Sequence, residues 1–437
     1  MRRGSQFVLV TLITAACASS ALAQTPPPPT APPAAAPGMS MPMQMPMPMM
    51  PAGPLGIDEM RDGSGTSWLP EESPMSGAMR TNGSWTFMLH GNAFLEYIQT
   101  TGTRGDHQLG SVNWLMGMAE RDVAGGRFMV RAMSSVEPLT VGRCGYPNLL
   151  QSGELCRGVP LHDDQHPHDL FMEVAVDYRH PISKTVAIEF YGGPAGEPAL
   201  GPVVFMHRPS AMANVIAPIS HHWLDSSHVS FGVITGALYS QRWKAESSVF
   251  NGREPDDRRY GFDLAPLDSY SGRFSFLPSS RWAIQASAGH LKEAEARPDG
   301  TREDVTRVTT SATYHRMVNN RTWATTIAWG RNREADVATS AFLAETSAET
   351  SPLDVWFGRV EVVGKTAADL ALPLPAASVF RVGKIEGGYT RWVAEAHGIR
   401  TGLGGSVGLS LVPATLTSFY GDRSPLEFTV FLTIRPR

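Results

Sequence analysis

From Trp243 to Phe250 the chain alternates: Trp243, Ala245, Ser247 and Val249 fall on one side, and Lys244, Glu246 and Ser248, preceded by Arg242, on the other. Period two with charge confined to one face specifies a strand that meets apolar matter on one side and water on the other. The pattern recurs with a Trp near the start of the run. Trp282, Ile284, Ala286 and Ala288 oppose Arg281, Gln285 and Ser287; Trp323, Thr325, Ile327 and Trp329 oppose small and polar residues; Trp356, Val360 and Val362 oppose Arg359 and Glu361. Repeated strands with a Trp at the same end describe a wall with an aromatic belt. The fold expected is all-β, a transmembrane up-and-down antiparallel β-barrel of about sixteen strands, with twelve to eighteen admissible, behind a disordered leader.

The strands predicted run from Trp85 to Tyr97, Val112 to Glu120, Arg127 to Val136, Asp169 to Arg179, Val186 to Gly192, Val229 to Leu238, Arg242 to Phe250, Gly272 to Leu277, Trp282 to His290, Val305 to Met317 and Thr322 to Gly330, then near 337–346, 353–363, 379–393, 399–412 and 426–435. In the third, Phe128, Val130 and Ala132 face out, and Arg127, Met129, Arg131 and Met133 face in. In the fourth, Leu170, Met172, Val174 and Val176 oppose Glu173 and Asp177. Long and short connections alternate, as short periplasmic turns and longer outer loops do in outer-membrane barrels. The short connection around Asn332 to Asp336 breaks the alternation. This register gathers Trp85, Trp243, Trp282, Trp323, Trp356 and Trp392 at one rim, as an interfacial girdle requires. A soluble exported β-sandwich or propeller is the competing fold.

Composition adds an address. The chain has 437 residues, 18% charged, with a net charge of -4, and a mean hydropathy of -0.14. Nothing there points to nucleic acid, and beyond the N-terminus no run approaches the roughly 20 apolar residues of a membrane helix. Arg2 and Arg3, the apolar Phe7 to Ala16 and the small-residue site Ala21-Leu22-Ala23 read as a secretory signal over residues 1–23. A short membrane anchor and a lipoprotein signal ending at Cys17 are the alternatives. Export leaves Cys144 and Cys156, an even pair in an oxidising compartment, expected as a disulfide stapling a loop that lacks strand alternation.

Residues 24–83 are expected as a disordered leader and linker, with the barrel over 84–437. The early leader, TPPPPTAPPAAAP, is a stiff polyproline-type spacer. Then Met39, Met41, Met43, Met45, Met47, Met49 and Met50 alternate mostly with Pro. Thioether sulfur is a soft, uncharged ligand suited to Cu(I), and several on a loose chain can gather around one ion; the alternative is a low-complexity tether with Met as filler. An exported Met-rich leader joined to an outer-membrane barrel resembles the bacterial copper resistance protein B family, which implies copper handling at the outer membrane. The stretches GGPAGEPALGPVVFMHRPSA and FNGREPDDRRYGFD look instead like an uncharacterised group of exported bacterial proteins.

Three loops concentrate polar groups. The third long loop, 194–227, carries Glu197, Met206, His207, Arg208, Met212, His221, His222 and Asp225, with His228 at its exit. If it folds inward as in porins, Met206, His207, His221, His222 and His228 line a constriction and can touch copper or a similar ion. HDDQHPHD offers His162, His166 and His168 beside Asp163 and Asp164 for a divalent ion at the mouth. Loop packing and capping are the alternative for both. Asn251, Arg253, Glu254, Asp256, Asp257, Arg258, Arg259 and Asp263 carry mixed charge, which favours a salt-bridge network over a selectivity ring.

No Walker loop, dinucleotide fingerprint or HExxH appears, and Ser220-His221 and Ser226-Ser227-His228 are neighbours in sequence without the geometry of a triad; no enzyme is expected. The leading expectation is an outer-membrane barrel whose Met-rich periplasmic arm captures copper, as Cu(I), for export or tolerance. A passive porin for small solutes and a soluble periplasmic β-rich binding protein are the alternatives. The partners expected are outer-membrane lipid, a periplasmic metal carrier or efflux component, and two further copies in a homotrimer, with no nucleic acid.

Overall fold

The alternation closes into a barrel. The computed structural model describes residues 53–58, 61–74, 77–225, 229–297 and 300–436; the signal and Met39 to Met50 lie outside them. A small hairpin, β1 (Asp62–Ser64) and β2 (Ser67–Trp68), precedes the wall, which begins with β3 (Ala78–Asn82), β4 (Trp85–Thr100), β5 (His107–Gly110), β6 (Asn113–Val123) and β7 (Gly126–Ser134). A separate hairpin follows, β8 (Tyr146–Cys156) and β9 (Val159–Gln165). The wall resumes with β10 (Phe171–Pro181), β11 (Ala187–Ala195), β12 (Val233–Tyr239), β13 (Trp243–Phe250), β14 (Ser269–Ser279), β15 (Trp282–Ala296), β16 (Arg302–Val318), β17 (Arg321–Glu334), β18 (Val337–Glu349), β19 (Asp354–Thr366), β20 (Val379–Ala396), β21 (Ile399–Leu411) and β22 (Leu426–Pro436).

Eighteen segments occupy sixteen positions around the closed, antiparallel sheet. β5 and β6 lie end to end beside β4. On its other side β4 takes β22 along Ala93–Thr100 and β3 along Trp85–Leu89, which closes the ring. Closure removes the edges that would otherwise present unpaired N–H and C=O groups.

Period two sorts the side chains. Phe190, Ile234, Val249, Phe274, Ile327 and Val430 lie on the outer surface, with Val430 62% and Ile234 57% exposed. Thr235, Lys244, Ser248 and Arg273 point inward and are buried. An apolar exterior around a polar, filled interior is the inverse of a soluble sandwich, whose packed face is apolar. The short connections, Ala124-Gly125, Ser280-Arg281, Asn319-Asn320 and His397-Gly398 among them, gather at one rim. At the other rim the turn Ala335-Asp336 is as short as the sequence suggests.

Trp282, Trp323 and Trp356 are exposed at the rim of short turns, and Trp85 and Trp243 are half-buried there. Trp392 departs from the expected girdle. By the strand's own alternation it shares the inward face of Lys384, Glu386 and Thr390, and the guanidinium groups of Arg400 and Arg435 stack on its ring at 4.6 Å each. A bulge corrects a second assignment: the register slips between Phe171 and Glu173, so Met172 is fully buried beside Glu173 and not on the outer face.

Two segments read as unstructured are folded. Within 24–83, β1 and β2 pair as a sheet of their own and β3 joins the barrel beside β4, so the ordered wall begins before residue 84. The cysteine loop forms the β8–β9 hairpin, interrupted by two register shifts and by positive φ at Leu150, Glu154 and Asp163. Those interruptions erase the period-two signal. The disulfide between Cys144 and Cys156 is present, with Cα atoms 5.6 Å apart, and ties the chain before β8 to its end.

The staple constrains only this hairpin. Replacing both cysteines by Ser is expected to cost about 3 kcal/mol locally and to leave the barrel's heat-modifiable gel migration unchanged. Limited proteolysis should then cut between residues 144 and 165. Unchanged protection of that stretch would contradict this account.

Candidate functional site

The lumen is occupied by the protein itself. Residues 196–225, after β11, dive into the barrel, and Ala199, Arg208, Ile216, Ala217, Ile219, Ser220 and His221 are fully buried there. A segment without its own ladder must find partners for its backbone groups elsewhere. The N–H groups of Ala199 and Gly201 donate to Ser248 Oγ and Ser287 Oγ at 2.7 and 2.8 Å. Those of Ile219 and Ser220 donate to the Glu361 carboxylate at 3.2 and 3.0 Å. Arg359 donates to the Ile216 carbonyl at 2.8 Å, and Asn92, on the far wall, to that of Met212 at 3.2 Å. Gly330 leaves the space for this seat, since a Cβ there would fall 2.1 Å from the Trp223 carbonyl oxygen.

Charge fixes the loop more firmly than the neutral bonds. Arg208 donates through Nε to Glu345 Oε1 at 2.6 Å and through Nη1 to Asp225 Oδ2 at 3.1 Å. Arg359 meets Glu345 at 3.2 Å and Glu386 at 3.8 Å, and Asn214 donates to Glu386 at 2.8 Å. Each charge has left water, and opposite charge beside it offsets the desolvation. The β1–β2 hairpin enters beside the loop. Lys244 and Arg273 donate to Thr66 at 2.8 and 3.0 Å, and the Val204 amide donates to Ser64 Oγ at 3.1 Å.

Within this plug, His166, His221 and His222 converge. One nitrogen from each ring lies within 4.8 Å of the others, with ring centres 4.9 to 5.7 Å apart. All three are buried. Burial pushes the imidazoles down, to about 4 for His221 and His222 and well below the usual range for His166, so they are neutral with lone pairs at physiological pH. Carboxylates surround them. Asp225 Oδ1 is 2.7 Å from His221 Nδ1, Glu154 Oε1 is 3.5 Å from His166 Nε2, and Glu254 Oε1 is 3.3 Å from His222 Nδ1. Neither nitrogen of His222 nor either oxygen of Glu254 makes a hydrogen bond among the described residues. His222 sits where it does because of Gly153, at φ 126°: a Cβ there would fall 2.2 Å from the imidazole. Three neutral imidazoles with outer carboxylates are the donor set of a borderline divalent ion.

The other expected ligands go elsewhere. His162 is half-exposed and bonded to Arg104 and Asp163, while His168 is held by Glu137 Oε2 at 2.8 Å. Met206 packs in an apolar cluster with Phe205, Met133 and Phe231. His207 leaves the constriction residues and faces β4 and β6, its ring 4.4 Å from that of Trp114. His228 and Met39 to Met50 lie outside the described residues. The mixed-charge loop does form a network: Arg259 bridges Glu154 and Asp169, Arg253 holds Asp268 and Glu293, and Arg143 holds Asp257. The sequence reading missed Glu154, Glu254 and Gly153 as neighbours of the histidines. The unusual Gly and the buried acid in a half-polar hairpin were the only signals available.

No family model and no curated protein matches the chain. Solved structures do. The barrel is similar to a Salmonella typhi OmpF in complex with daunomycin, at 10% identity and a TM-score of 0.50 over 82% of this chain and 100% of that one. An anion-selective porin from Comamonas acidovorans covers 80% of this chain and 99% of its own, at 12% identity and a TM-score of 0.46. The outer membrane channel DcaP of Acinetobacter baumannii covers 82% and 100%, at 8% and 0.46. At such identity the likeness defines the fold, that of the sixteen-stranded outer-membrane porin barrels.

The Arg208 ion pairs hold the plug. Arg208→Ala leaves Asp225 without its buried guanidinium and is expected to cost about 3 kcal/mol, read as an earlier urea midpoint and faster protease cleavage within residues 196–225. An unchanged midpoint and cleavage rate would show that the pairs do not anchor the loop.

Proposed function

We propose that this chain is an outer-membrane channel of a Gram-negative bacterium that its own third loop holds closed. The observation that carries this reading is the inward course of residues 196–225, tied to β4, β13, β15, β18, β19 and β20 across the lumen. The polar, charged inner wall is that of a path for hydrophilic solutes. Its charges are paired with opposite charges on nearby strands and on the loop, so the path carries no single-sign ring and little ionic preference. Outer-membrane lipid meets the apolar face, and a homotrimer is the assembly this reading carries.

Planar-bilayer recording tests it. The full chain should insert with small or rare openings, and a double variant Arg208→Ala/Arg359→Ala that still folds should open more often and to larger conductance. Steady large conductance of the parent would contradict closure. A folded double variant that never conducts would contradict a channel.

A second reading, metal handling for export or tolerance, is supported by the histidine cluster for a borderline divalent ion and by the sequence of the leader for a soft one. In it the methionines between Met39 and Met50 capture Cu(I) in the periplasm, and a periplasmic carrier or efflux component exchanges metal with them. Competitive Cu(I) titration of the mature protein and of a version lacking residues 25–52 tests the arm. Tight binding lost with the arm supports it; equal, weak binding in both removes it. For the buried cluster, His221→Gln/His222→Gln should abolish stoichiometric Zn(II) binding that the parent shows in a chelator competition.

A further inference from the structure

On the side of the short turns the plug leaves a chamber of about 110 Å³. Its lining is unlike that of the histidine cluster. Met88, Met116, Met118 and Met212 supply thioethers, and His90 and His207 supply imidazoles. Two nitrogen–sulfur pairs are already formed. His90 Nε2 lies 3.1 Å from Met116 Sδ, and His207 Nε2 lies 3.3 Å from Met133 Sδ. The two rings are edge to face with centres 5.5 Å apart, and the Trp114 indole packs against both, at 5.1 and 4.4 Å.

We propose that the two pairs, at the wall of this chamber, form a binding site for a soft monovalent metal ion, Cu(I) or Ag(I), held by His90, His207 and Met116, which line it, and by Met133 behind His207. Thioether and neutral imidazole are the donors such ions select, whereas a hard divalent ion prefers carboxylate and water. The carboxyl groups at the chamber, Asp62 and Glu349, are committed to cations: Asp62 to Arg179, and Glu349 to Arg435 at 3.8 Å. Arg131 also lines the chamber, but Glu173 neutralises it at 3.3 Å and its guanidinium lies 5.0 Å over the Tyr191 ring. Bonds of about 2.0 Å to nitrogen and about 2.3 Å to sulfur put two donors near 3.5 Å apart at a tetrahedral angle, close to the spacing within each pair; with the rings 5.5 Å apart, bringing the two pairs onto one ion is the movement that binding requires. The Trp114 indole, packed on both imidazoles, holds the two rings side by side.

The arrangement comes from three neighbouring strands and the loop. His90 is on β4, Met116 and Trp114 on the neighbouring β6, Met133 on β7, and His207 on the inward loop. The site therefore exists only when the loop is in the lumen. It does not depend on whether the lumen conducts, nor on the leader binding metal.

Trp114 provides a local reporter in the full chain. Ag(I) titration should quench a component of tryptophan fluorescence saturably at one ion per chain, and that component should be missing in Trp114→Phe. In Met116→Leu/Met133→Leu, whose side chains keep their volume, the midpoint should rise more than tenfold while heat-modifiable migration stays that of the parent. Zn(II) should not produce the quench. A Trp114-dependent quench with an unchanged midpoint in the double variant, or no Trp114-dependent quench in the parent, would overturn the proposal and leave the two pairs as N–H···S hydrogen bonds. The fluorescence result is independent of conductance, so failure of this proposal is distinguishable from failure of the channel reading.

Discussion

The structure turns on one constraint: a ring of inward-facing charges must be neutralised without water. A sixteen-stranded wall with Lys244, Glu246, Arg273, Glu345, Arg359, Lys384 and Glu427 on its inner face could meet that demand by hydration, as an open pore does. Here the charges meet each other and the inward loop. Lys384 takes Glu427 at 2.9 Å, Arg273 takes Glu246 at 2.8 Å, and Arg208 arrives from the loop to share Glu345 with Arg359. Removing any one member leaves its partner buried, so the network favours one arrangement of loop and wall. Everything proposed about function follows from that arrangement.

The barrel itself was legible because its physics is local. Alternation along each strand reports burial directly, and lipid outside with charge inside sharpens the contrast. Trp243 and Lys244 are adjacent in sequence and opposite in fate, and no tertiary knowledge is needed to see it. Two assignments changed for different reasons. A bulge moves Met172 to the inside, whereas Trp392 keeps the period and shares the inward face of Lys384, Glu386 and Thr390, so nearness to a turn alone did not place it in the girdle. In the cysteine hairpin, residues at positive φ remove the alternation altogether.

The site was legible only in part, for the opposite reason. His166 was singled out in one segment and His221 and His222 in another, yet nothing in either segment says that they meet. Their meeting depends on how two loops of different length return into one lumen, and on Gly153 leaving room for a ring. Met116, Met133 and His90 were read as wall residues or passed over, because a strand places a thioether inward as readily for packing as for coordination. Only the loop that brings His207 to them separates the two uses. A likeness to porin structures at 10% identity fixes the wall and leaves these interior differences to the residues themselves.

The central claim, that the third loop is a fixed part of the lumen, is tested most directly by backbone hydrogen exchange on the protein in lipid nanodiscs. The amides of Ala199, Gly201, Ile219 and Ser220 donate to the inner wall, and the account predicts protection of these segments comparable to that of β13 and β19. Exchange as fast as that of the exposed outer connection near residues 373–377 would contradict it, and would mean that the lumen is open to water.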